Sequence, residues 1–115
     1  LNTPTDYGNS YPIGQCTWGV KEMAPWASNW WGNANTWAIN AGAQGYATGN
    51  VPVPGAIAVW DGGEYGHVAY VTDVQSDSSI QVLEANYNRQ KQINNYRGYF
   101  NPNEFMGGVT YIYPN

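Results

Sequence analysis

The segment that most constrains the fold is residues 66–86. It begins Gly66-His67-Val68-Ala69-Tyr70-Val71-Thr72-Asp73-Val74, a run rich in β-branched residues and the clearest strand in the chain. Residues 75–79 read as a turn and residues 80–86 as a second strand, so the pair predicts an antiparallel hairpin. A shorter apolar run, residues 56–60, precedes the hairpin across the turn signal Asp61-Gly62-Gly63. Residues 109–113 supply a final strand.

Upstream the period changes. Cys16, Val20 and Met23 recur near helical spacing, with Trp18 alongside, and Pro25 stops the run. A short helix is therefore expected with Cys16 near its N-terminus. Residues 26–35 read as an aromatic, Asn-rich loop, and residues 36–44 as a second helix ending near Gly45. Residues 49–55 form a turn and an extended entry. Residues 87–103 are polar and loop-like, with one irregular strand expected near residues 93–98. Helices first and a meander of strands afterwards predict an α+β fold. The chain of 115 residues is the size of one domain. Residues 1–10 read as a polar N-terminal arm and residues 11–115 as the domain. The arm has no basic or apolar segment of signal-peptide type. No apolar run approaches the ~20 residues that cross a bilayer.

Charge narrows the partners. Only 10% of residues are charged, against about 25% in ordinary domains, and the net charge is −4. Four basic side chains are too few for phosphate contacts along a nucleic acid. They are also too few for the basic face of a helix lying on an anionic membrane. A neutral partner rich in hydroxyls and amides, a glycan or a peptide, fits better.

Three places could carry chemistry. Cys16 is the only cysteine, so no internal disulfide exists. The thiolate is the reactive form of cysteine, and a helix N-terminus favours an anion. The plainer reading of Cys16 is a small buried apolar residue. His67 is the only histidine. It starts the strongest strand, where alternation puts His67, Ala69, Val71 and Asp73 on one face and Val68, Tyr70, Thr72 and Val74 on the other. Alone it would be an ordinary surface or hydrogen-bonded histidine. Glu84 and Asn86 are two apart on the next strand, so they share a face above Ile80 and Val82. A carboxylate there needs water or a partner, and an imidazole would be one. In chain order Cys, His, Glu and Asn follow the logic of nucleophile, base and orienter of the base.

These residues carry a family resemblance. Tyr11-Pro12-Ile13-Gly14-Gln15-Cys16-Thr17-Trp18 resembles the nucleophile motif of CHAP domains, the cysteine, histidine-dependent amidohydrolases/peptidases. Residues 53–60 are similar to that family's strand before the histidine. Tyr65-Gly66-His67-Val68-Ala69 resembles its histidine motif, and Val82-Leu83-Glu84-Ala85-Asn86-Tyr87 its Glu-x-Asn motif. Arg97-Gly98-Tyr99-Phe100 is similar to the segment that often follows. The likeness runs from about Tyr11 to Tyr113 and is nearest to secreted Gram-positive peptidoglycan hydrolases of cell separation.

The resemblance implies a papain-like (NlpC/P60-related) fold with N-terminal helices packed on an antiparallel sheet. It implies cleavage of an amide bond of the cell-wall peptide, by an endopeptidase or an N-acetylmuramoyl-L-alanine amidase, outside the cell. It implies Cys16 as nucleophile, His67 as base, Glu84 as orienter of His67 and Asn86 as a supporting polar group. Gln15, with the backbone N–H of Cys16, is the implied oxyanion region. Some phage-lysin members carry an Asp-x-Asp calcium loop near the N-terminus, whereas here only Asp6 lies in that region. One His and one Cys cannot make the usual zinc set. No metal and no cofactor are expected.

Aromatic residues make up 16% of the chain. Trp31, Trp60, Tyr65 and Tyr87 fall in loops or at strand ends near the proposed site and are expected to line a substrate groove. Trp18 and Trp37, on helices, are expected in the core. Other readings stay open: a catalytically silent wall-binding module, a cysteine hydrolase acting on another amide, or a structural domain of a longer precursor.

Overall fold

The computed structural model describes residues 8–115. Most of the expected N-terminal arm lies outside these residues. Its last part is pinned to the domain: the Ser10 N–H donates to Asn29 Oδ1 at 2.9 Å and Asn9 Nδ2 to the Trp18 carbonyl at 2.9 Å.

Two helices come first. Helix α1 spans Cys16–Met23 and α2 spans Trp37–Ala43, the latter entered through a 3-10 turn at Ala34–Thr36. Pro25 ends α1 as expected, and the buried Lys21 reinforces the stop. Its ammonium donates to the carbonyls of Pro25, at 2.8 Å, and Ala27. Five strands complete the domain: β1 Thr48–Gly49, β2 Ile57–Trp60, β3 His67–Ser76, β4 Ser79–Leu83 and β5 Val109–Ile112. They form one antiparallel sheet in the order β1-β5-β2-β3-β4. The fold is thus the expected α+β arrangement of helices on an antiparallel sheet. The short strand β1 was not foreseen.

Each face of the sheet is covered. On one, Ile57, Val59, Val68 and Ile112 pack against Val20, Ala24, Ala27, Trp31 and Trp37 from the helices and the loop between them. On the other, Ala58, Trp60, Ala69, Val71, Val82 and Tyr111 pack under Phe100, Phe105 and Met106 from the long segment between β4 and β5. The alternation predicted for β3 holds from His67 to Val71. A register shift between Val71 and Asp73 then breaks it, and Val74 joins the face of Ala69 and Val71 rather than that of Val68. A bulge of this kind inserts one residue and reverses the sides that follow.

Two glycines bring the site together. A Cβ on Gly19 would stand 2.8 Å from the Ala85 Cβ, so its absence lets α1 lie against the chain leaving β4. Gly66 has φ +75°, and a Cβ there would meet the Trp60 carbonyl oxygen at 2.6 Å and the Asn35 nitrogen at 2.7 Å. This close approach sets the start of β3 against β2 and the 3-10 turn, whose Asn35 N–H donates to the Tyr65 carbonyl at 2.9 Å. No helix of the described residues is long and apolar enough to cross a membrane.

Candidate active site

Cys16 is the first residue of α1 and only 9% exposed. Gln15 before it is extended, and its N–H donates to the Pro12 carbonyl at 3.1 Å, closing the turn that delivers the chain into the helix. The first N–H groups of a helix have no partner within it, so the site at Cys16 faces open backbone donors.

His67 begins β3, opposite Trp60 of β2. Its ring is buried between the rings of Trp60 and Phe105, each 5.8 Å away between centroids. Nε2 lies 2.8 Å from Glu84 Oε1, and the side chain also hydrogen-bonds Cys16. With Nε2 committed to the carboxylate, Nδ1 is the nitrogen left for the thiol. Burial pushes the His67 pKa down. The hydrogen bonds to Cys16 and Glu84, with the charges of the same two groups, more than offset this, and the result lies above 6.5.

Glu84 follows β4 and is fully buried. Its backbone pairs with Asn94 through N–H···O bonds of 3.1 and 3.0 Å. Besides His67 it meets Arg97, whose Nε donates to Oε2 at 2.9 Å and Nη2 to Oε1 at 2.6 Å. Burial alone would raise the Glu84 carboxyl. Hydrogen bonds from His67 and Arg97, together with their charges, reverse that and hold it below 4.5.

Asn86 does not share the Glu84 environment. Strand β4 ends at Leu83, and Asn86 turns away with φ +56°. The period-2 alternation that put both side chains on one face therefore stops short of it. Asn86 instead reaches α1: its Nδ2 donates to Gln15 Oε1 at 3.1 Å, while Lys91 Nζ donates to Asn86 Oδ1 at 2.8 Å.

These groups open on a cleft of about 890 Å³. Cys16, His67, Gln15, Asn86, Tyr65 and Tyr87 all line it. Trp31 and Trp60 do not, and the expectation that they line a groove is corrected. Trp31 is fully buried, with its indole donating to Gln44 Oε1 at 2.9 Å and its ring packed on Trp37 and Tyr46. Trp60 is fully buried beneath the site, donating to the Pro102 carbonyl at 2.8 Å. Both rings gain more by filling the two cores than they would at a wet rim. Sequence reasoning missed Ser10, Asn29, Asn33, Asn88 and Phe105 as lining residues. It also gave no role to Arg97 or Lys91. One signal pointed to Arg97: a carboxylate on an apolar face needs a partner, and the chain has only four basic side chains.

Comparisons with known proteins identify the family and the fold. The model of the CHAP domain family matches residues 6–86. A Streptococcus mutans protein named "Putative hydrolase" is 58% identical over 109 residues, covering 93% of this chain and 52% of that protein. The N-acetylmuramoyl-L-alanine amidase sle1 of Staphylococcus aureus is 44% identical over 101 residues, covering 84% of this chain and 30% of the amidase. The crystal structure of an N-acetylmuramoyl-L-alanine amidase from Staphylococcus aureus superposes with a TM-score of 0.76 at 28% identity. That match covers 99% of this chain and 35% of the amidase chain. The chain thus spans between about a third and a half of the length of these relatives.

Proposed function

The chain belongs to the CHAP domain family, and from that premise we propose that it hydrolyses an amide bond in the peptide part of bacterial peptidoglycan, with Cys16 as nucleophile. The observation that carries the reading is the buried series Cys16, His67 and Glu84, with Cys16 and His67 lining one cleft and Glu84 hydrogen-bonded to His67 behind it. The name of the Staphylococcus aureus relatives supports the muramoyl-alanine bond as the one cut, over a bond within the stem or cross-bridge.

In this scheme His67 Nδ1 takes the Cys16 proton and the thiolate attacks the amide carbonyl. The oxyanion is met by the Cys16 backbone N–H and the Gln15 side-chain amide. Lys91 orients Asn86, and Asn86 occupies Gln15 Oε1, which leaves the Gln15 NH₂ free to donate. One such donor contributes ~3 kcal/mol to the transition state. His67 then protonates the leaving amine, and the acyl-enzyme remains. A water activated by His67 attacks that thioester and regenerates the thiol. Glu84 holds the imidazole with its proton on Nε2 throughout.

Among the described residues, the cleft lining has amides at Gln15, Asn29, Asn33, Asn86 and Asn88 and no Asp, Glu, Lys or Arg. Such a lining suits an amide-rich substrate. Residues 11–115 act as the catalytic domain, in the cell wall outside the cell and in the service of cell separation. Further domains of a longer protein would bring it to the wall.

Mass spectrometry of fragments released from purified peptidoglycan, by the protein and by Cys16→Ala, tests the proposal. Fragments that require Cys16 name the bond by their new termini. Wall binding by both proteins with no release by either would replace this reading with a silent binding module.

A further inference from the structure

Arg97 is the least explained charged group in the domain. It sits in the segment after Glu84, and the backbone pairing of Glu84 with Asn94 brings it back beside that carboxylate. Its side chain is only 8% exposed, and Glu84 is not exposed at all. The guanidinium carbon lies 3.9 Å from the ring centroid of Phe100, 4.3 Å from that of Phe105 and 4.4 Å from that of Tyr87. Aromatic faces attract a cation and exclude water, so the fork can meet only one acceptor. That acceptor is Glu84, held at both oxygens. Glu84 Oε1 is also the atom 2.8 Å from His67 Nε2.

We propose that Arg97 is a positioning residue for the reaction: it fixes the plane and the charge of Glu84, and through Glu84 the tautomer and orientation of His67 at Cys16. The inference rests on the reading of Cys16, His67 and Glu84 given above. A carboxylate buried without a cation takes up a proton or turns toward whatever donor remains. Either change would release His67. The groups that face His67 are Cys16, Glu84 and, through Glu84, Arg97, with the Tyr87 ring 6.5 Å away. Taking away the Arg97 charge lets Glu84 take up a proton or turn away, so His67 loses the anionic partner that favours its imidazolium. Lysine would restore the charge but not the two in-plane donors.

His67 is the single histidine of the chain, so its ring nitrogens can be followed by NMR without assignment. In the wild-type protein the neutral ring should carry its proton on Nε2; a ring that neither holds this tautomer nor couples to Cys16→Ala would sink the underlying reading instead. In Arg97→Met the imidazole titration should move down by about 1 pH unit and the Nε2–H tautomer should lose its dominance. In Arg97→Lys the titration should stay near wild type while alkylation of Cys16 by iodoacetamide slows about tenfold or more. Because Arg97→Met strands a buried carboxylate and can unfold the protein, Glu84→Gln is compared with Glu84→Gln/Arg97→Met. The double variant should titrate and alkylate like the single one. An Arg97→Met protein that folds with unchanged tautomer and titration overturns the proposal, as does a further shift in the double variant.

Discussion

His67 Nε2 lies 2.8 Å from Glu84 Oε1, and His67 lines the same cleft as Cys16. The carboxylate is buried and the thiol nearly so. An imidazole between two such groups is oriented before substrate arrives.

Removing the carboxylate charge should therefore damage the rate more than binding. Glu84→Gln is expected to lower kcat by about 10²–10⁴-fold with KM little changed, measured on soluble peptidoglycan fragments. Equal losses in kcat and in affinity would place Glu84 in substrate binding.

The relay on the other side of Cys16 makes a graded prediction. Gln15→Ala should cost about 10²–10³-fold in kcat, the usual loss for one oxyanion donor. Asn86→Ala and Lys91→Met should cost less, in that order, since each acts one hydrogen bond further from the Gln15 donor. Kinetics of the three variants side by side checks the ranking.

Stability should depend on pH in two directions. The His67 pKa is raised, so its contribution is complete below 6.5 and is lost as the pH rises through the folded-state value. The Glu84 pKa is lowered, so its contribution is complete above 4.5 and is lost as the pH falls through the folded-state value. Both are present together between 4.5 and 6.5. Urea denaturation across pH should show the pair at its strongest there. His67→Gln should flatten the alkaline side of that profile and Glu84→Gln the acid side.

Aromatic substitutions should divide by burial. Tyr65 is 61% exposed at the cleft, so Tyr65→Ala should weaken wall binding while the thermal midpoint stays put. Trp31→Ala and Trp60→Ala should each remove about 3–5 kcal/mol of stability, read from denaturant midpoints. A large loss of stability in Tyr65→Ala would contradict this division.

Gly66→Ala should be costly for its size. It forces a side chain into φ +75° against the Trp60 carbonyl and the Asn35 nitrogen, which together cost at least ~1–2 kcal/mol. A lowered urea midpoint at unchanged slope, with weaker activity in the surviving fold, is the expected outcome.

Much of this molecule is legible in its local patterns. The β-branched run starting at His67 and the turn after it predict the β3–β4 hairpin, and Pro25 predicts the end of α1. Cys16 at a helix start follows from the spacing of Cys16, Val20 and Met23. Turn chemistry and periodicity are properties of neighbours along the chain, so they survive in the sequence alone. Part of what failed depended on a break in the period. The bulge after Val71 moved Val74 to the other face, and the left-handed backbone at Asn86 took that side chain from Glu84 to Gln15.

The sequence by itself determined the two helices, the four longer strands and their order. Only the tertiary structure decided which side chains meet. Arg97 closes on Glu84 because the segment between β4 and β5 folds back over the sheet and seals the pair among Tyr87, Phe100 and Phe105. Trp31 and Trp60 are in the interior because two cores had to be filled to close packing. Such contacts arise from close approach between distant segments, which no local period encodes.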